Sequence, residues 1–157
     1  MYSRFSSGIN AIVNGANALS SLLDLFIRLW MANIFWSSGL VKIGNFDKTL
    51  DIFTTVFKVP LFNPTLAAVL ATGTELIGAV LLVLGLATRF ASASLIFLTF
   101  MAAISYHLDV PDAASTWGEG YLSHIYFGIL LTVLMLHGPG KLSLDHYLWR
   151  RYSTHGN

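Results

Sequence analysis

The sequence predicts an all-α integral membrane bundle of four transmembrane helices with short interfacial helices. Composition, hydropathy and the spacing of apolar stretches lead there. Hydrophobic residues make up 55% of the 157-residue chain and charged residues only 11%, against roughly 25% charged in soluble domains. Mean hydropathy is +0.66. Apolar stretches of 17 to 25 residues recur between turn signals, matching the roughly 20 residues that cross a ~30 Å hydrocarbon core. The second and third stretches lack the charged outer face that a water-exposed helix needs. Lipid is the expected solvent.

The elements follow in chain order. In residues 1–20, Phe5, Ile9, Ile12, Val13 and Leu19 sit among Ser, Asn and Gly, which suggests a short amphipathic helix at the interface. A cleaved signal peptide is not expected, because no apolar run precedes Ala16-Asn17-Ala18. The first span covers 25–43 and ends at Gly44-Asn45. Asp47 can then cap a short surface helix whose Leu50, Phe53, Val56 and Phe57 share a face. Pro60 and Asn63-Pro64 mark a turn into the second span, 64–88. The third span covers 90–107, and the short link at Thr88-Arg89 makes it an antiparallel neighbour of the second. Residues 108–120 form a polar, acidic loop, and the fourth span covers 121–137. It stops at Gly138-Pro139-Gly140, after which Ser143 can cap a last surface helix. Residues 1–157 read as a single membrane domain.

Several function classes drop out. A net charge of +1 gives no basic field for nucleic acid. With no cysteine, the chain itself offers no disulfide relay, thiolate metal site or iron–sulfur cluster. Haem is not expected either, because the histidines that could ligate it lie near the water. The nucleotide-binding and hydrolase motifs are missing. Arg4, Arg28, Arg89, Lys141, Arg150 and Arg151 fall on one side of the predicted bundle. Lys42, Lys48 and Lys58 fall on the other, beside Asp47, Asp51, Asp109, Asp112 and Glu119. The positive-inside rule then puts both termini in the cytoplasm.

Charge at depth is the informative part, since Arg, Lys or Asp at a helix centre costs about 2.5–3.5 kcal/mol. Asp24, Arg28, Ala32, Phe35, Gly39 and Lys42 recur every three or four residues and share one stripe of the first span. Arg28 and Lys42 can also snorkel to opposite interfaces. Glu75 lies too deep for that. Its stripe of Ala68, Ala71, Gly78, Leu82 and Gly85 is rich in small residues that allow close helix approach. Glu75 is expected to face the bundle, either paired with Arg28 or Lys42, or protonated. His107 and His124 flank the acidic loop and can line the same polar site. Their spacing fits no tight metal motif, so no metal is assigned. Trp30, Trp36, Trp117 and Trp149 read as packing and interface anchors.

With these pieces in order, the chain resembles the DoxX family of small bacterial membrane proteins. The resemblance rests on "RLWMANIFWSSGLVKIG" from Arg28 to Gly44 and "TELIGAVLLVLGLATR" from Thr74 to Arg89. The third span ending in His107 and "GPGKLSLD" from Gly138 to Asp145 complete it. It implies a four-helix bundle in the bacterial inner membrane. It also implies a link to membrane oxidoreductase assemblies, such as a thiosulfate:quinone oxidoreductase subunit or a complex against oxidative stress. Arg28, Lys42, Glu75 and His107 match the family's recurring polar positions, and His124 joins them by position. These five form the candidate intramembrane binding site, with a quinone or similar lipophilic molecule as the expected ligand. No residue is assigned as catalytic. A protein partner or a second copy is expected in the membrane. Two alternative readings stay open: a non-catalytic scaffold for a partner protein, and a small solute or metal transporter.

Overall fold

A computed structural model describes residues 2–55, 63–109 and 119–153. Side chains at 2–12, 14, 17, 105–109, 119–121 and 153 lie outside that description. The described residues form six helices and no strand: α1 Tyr2–Gly44, α2 Phe46–Thr55, α3 Pro64–Leu84, α4 Thr88–Asp109, α5 Glu119–His137 and α6 Leu144–Ser153. The fold class is all-α, as the composition and periodicity predict.

Four boundaries differ from expectation, each for a physical reason. Residues 2–20 are not a separate interfacial helix. They continue without a break into the first span, giving a 43-residue α1 about 64 Å long. No proline interrupts this stretch, and glycine alone is a weak helix breaker. The cap of α2 is Asn45 rather than Asp47, because the Asn45 side chain accepts the Lys48 amide at 3.1 Å. Asp47 instead occupies the first turn, where its charge suits the macrodipole.

The second span ends at Leu84 rather than at 88. Gly85 takes a left-handed conformation (φ 65°), its amide reaches the Leu82 carbonyl at 3.2 Å, and the Leu86 amide reaches Leu81 at 3.0 Å. That pair of bonds is a Schellman stop. Finally, α4 starts two residues before the expected third span. Its first amides are held from outside, by the Asp145 carboxylate on Ala87 (2.9 Å) and Thr88 (3.2 Å).

Packing follows the predicted stripes. On α1, Asp24, Arg28, Ala32 and Phe35 are buried, and on α3, Ala68, Ala71, Glu75 and Leu82 are buried. Ile27, Met31, Ala79, Leu95, Leu131 and Leu134 complete the main core between α1, α3, α4 and α5. The surface helix α2 lies back on α3, with Phe53 against Ala67, Ala68 and Ala71. The outside is apolar: Ile77, Phe90, Phe97 and Phe100 are each at least 60% exposed. In water such a surface would be an aggregation liability; in hydrocarbon it is the favoured one. Ala18–Gly44 of α1 and Pro64–Leu84 of α3 are long and apolar enough to cross a membrane. The apolar stretches Thr88–Ile104 and Leu122–His137 are shorter.

One end of the bundle is closed by Arg28. Arg28 is 1% exposed, and its guanidinium donates to the carbonyls of Pro139 and, at 2.9 Å, Leu142. Gly85 makes room for it, since a Cβ there would lie 2.6 Å from an Arg28 nitrogen and 2.7 Å from Ser143. Gly85→Ala therefore combines left-handed strain with overpacking, and a loss of roughly 2–5 kcal/mol is expected. Gly128→Ala, with nothing within 4 Å of the new methyl, should gain about 0.5–1 kcal/mol from helix propensity. Thermal unfolding in detergent should lower the first midpoint and hold or raise the second. A Gly85→Ala protein as stable as the parent would show that this closure contributes little.

Candidate polar site between the first and third helices

The second polar cluster lies about 21 Å from Arg28 along α1, fourteen residues further on. Gly39 brings α1 against α3 here: a Cβ on it would sit 2.6 Å from Leu76 and 3.6 Å from Glu75. This close approach lets Lys42 reach across. Its ammonium lies 2.7 Å from both carboxylate oxygens of Glu75 and 2.8 Å from the Ser38 hydroxyl. Ser38 in turn donates to Glu75 Oε1 at 3.2 Å. Three acceptors thus surround the three N–H donors of the lysine. The carboxylate side chain is 8% exposed and the lysine side chain 21%.

The roof of the site is built locally. Thr49, buried on α2, reaches back to the carbonyls of Lys42 (3.0 Å) and Asn45 (3.1 Å). At Lys42 it satisfies an acceptor that the end of α1 would otherwise leave open, and it pins α2 over the end of α1. On the far side, Phe35 of α1 meets Phe127 of α5 edge-on at 6.4 Å. Three residues further along each helix, in the same outward direction, stand Ser38 and His124. The equal rise places them at the same depth. The His124 ring packs on Phe127 at 6.4 Å.

The candidate residues therefore separate. Lys42 and Glu75 meet, with Ser38 between them, and His124 stands level with them on α5. Arg28 does not join them. It belongs to the opposite end, where its partners are carbonyls and where Asp24 and Asp145 act on its charge. Glu75 has Lys42 as its counter-ion. His107 falls in the last turn of α4, its side chain outside the described residues. His137 lies at the Arg28 end, with Nδ1 3.8 Å from Asp24. Among the described residues, no group of three or more His, Asp or Glu side chains could hold a metal ion. Sequence reasoning missed Ser38, although its place one turn before Lys42 was a usable signal.

Removing only one charge of such a pair strands the other. Lys42→Met should cost about 3 kcal/mol of stability, and Lys42→Met combined with Glu75→Leu should regain most of it. A double-variant loss equal to the sum of the Lys42→Met and Glu75→Leu losses, read from unfolding midpoints, would mean that the pair is not coupled.

Comparison with known proteins identifies a family and two relatives. The DoxX family model matches residues 23–108, covering α1 from its buried stripe through α4. An uncharacterized protein of Haemophilus influenzae is 33% identical over 133 residues, 83% of this chain and 85% of that protein. The inner membrane protein YphA of Escherichia coli is 31% identical over 131 residues, 82% of this chain and 91% of that protein. No solved structure matches. The matched region, the coverage of both relatives and the apolar exterior lead to one conclusion: the chain is a membrane protein of the DoxX family.

Proposed function

We propose that the chain is a four-span inner-membrane subunit of an oxidoreductase-type system, and that its Lys42–Glu75–Ser38 cluster binds the polar head of a quinone or similar lipophilic molecule. The observation that carries this reading is the placement of an ion pair inside an apolar bundle. A well-packed apolar pair would hold the helices at least as firmly, so stability alone does not account for the charges.

The chemistry of the cluster suits the ligand. A quinone carbonyl can take the place of the Ser38 hydroxyl on the Lys42 ammonium. That cation then stabilises negative charge as electrons arrive on the oxygen. Reduction to a quinol takes two electrons and two protons. A partner subunit supplies the electrons, and Glu75 and Ser38 offer a route for a proton. His124, on α5, is the next candidate along that route, and His107 is a further candidate. Arg28 has a structural part in this reading.

The four-span arrangement is supported by α4 and α5, which are 22 and 19 residues long, close to the roughly 20 needed to cross. The distribution of Lys and Arg favours cytoplasmic termini, and the Escherichia coli relative is named as an inner membrane protein.

Two experiments test these statements. Protein extracted with its native lipids should carry quinone, and Lys42→Gln or Glu75→Gln should each lower it at least about tenfold, the scale of losing one hydrogen bond to a charged group. Unchanged quinone in both variants would remove the binding role. A co-purified partner that keeps its activity in both would instead favour the scaffold reading. For topology, the cysteine-free sequence gives clean labelling. An Asp112→Cys protein should react with an impermeant maleimide from the periplasmic side, and a Lys141→Cys protein only after the membrane is opened. The reverse pattern would invert the orientation.

A further inference from the structure

A cleft of about 770 Å³ opens at the Arg28 end of the bundle, distant from the Lys42–Glu75 cluster. Five elements converge on it, with Ser20 and Ser21 coming from α1. Arg89 and Phe90 come from the start of α4, His137 from the end of α5, Lys141 from the connecting loop, and His146 and Trp149 from α6. Asp145 also lines the cleft, but both its oxygens are engaged by the amides of Ala87 and Thr88. Arg89 spends one long contact, 3.5 Å, on the Leu136 carbonyl. Among the described residues, neither Arg89 nor Lys141 has an ion-pair partner. The lining thus sets two cations, Arg89 and Lys141, against the one carboxylate of Asp145 and keeps a net positive charge.

Its rim is of the opposite character. Phe90 is 71% exposed and Trp149 76% exposed. Aromatic side chains beside cations at a helix end suit the boundary between acyl chains and headgroups. The volume is in the range of small-molecule sites and leaves room for far more than one phosphate ion. We propose that this cleft binds the phosphodiester headgroup of an anionic phospholipid of the cytoplasmic leaflet. Arg89 and Lys141 hold the phosphate, and Phe90 and Trp149 lie along the acyl chains. The charge complementarity is that of basic pockets between membrane helices. The inference rests on the membrane orientation proposed above, and is independent of quinone binding.

The test is native mass spectrometry of the full chain in neutral detergent. The protein is offered equal amounts of phosphatidylglycerol and phosphatidylcholine with identical acyl chains. Phosphatidylglycerol should be retained preferentially. Arg89→Gln with Lys141→Gln should cut that preference by roughly thirtyfold, at about fivefold per basic residue near an anionic surface. If the double variant fails to fold, Lys141→Gln alone, at an exposed position, should cut it about fivefold. Equal retention of the two lipids by the parent protein, or an unchanged preference in the folded variants, would overturn the proposal. Inorganic phosphate at millimolar concentration should not displace the lipid; displacement would mark a free-phosphate site and overturn it as well. The Glu75→Gln protein should keep the lipid preference, so a failure here and a failure of quinone binding are separable.

Discussion

A polar atom inside this bundle gains most from a partner within the chain, because the medium around it offers none; among the described residues Arg28 Nε, Thr88 Oγ1 and Ser92 Oγ are buried without one. That constraint explains the Arg28 closure better than any catenation of apolar contacts. A guanidinium buried inside a membrane bundle needs acceptors fixed in place. The chain supplies them by turning Pro139 and Leu142 inward. The turn needs positive φ at Gly138 and Gly140. Space for the arginine needs the left-handed Gly85, and the shortened α3 needs a new start for α4, which Asp145 provides. Four departures from regular helix thus trace to one buried cation.

The same constraint acts differently at the other end. Lys42 and Glu75 satisfy each other, with Ser38 filling the remaining valences. Here the polar groups are side chains that can exchange partners without unfolding the backbone. At the Arg28 end the acceptors are main-chain carbonyls of a fixed turn. One end is therefore held by fixed main-chain acceptors, the other by side chains. The proposed functional assignments follow that difference.

Much of this was legible in the residues. Three- and four-residue spacing placed Asp24, Arg28, Phe35 and Gly39 on one seam and Ala68, Ala71, Glu75 and Leu82 on another, and both seams are buried. Local periodicity governs those contacts. What stayed hidden was non-local. Nothing in the neighbourhood of Arg28 names carbonyls more than a hundred residues away, and helix periodicity says which face is inward but not which depth meets which. The grouping of Arg28 with Lys42 and Glu75 failed for that reason. Asp145 read as an ordinary first-turn acid of α6, while its carboxylate caps a different helix. Composition turns from polar to apolar near residue 20, yet α1 runs through that change because its backbone has no cause to break there.

The sequence separation of the Arg28 closure also bears on how the chain is made. Its acceptor Pro139 lies 111 residues downstream. At ribosomal rates the first helix waits on the order of ten seconds before that residue exists. Throughout that interval the guanidinium must stay hydrated at the surface or be sheltered by the insertion machinery. Synthesis of the Pro139–Leu142 turn, rather than entry of the first segment, is therefore the earliest moment at which the bundle can lock.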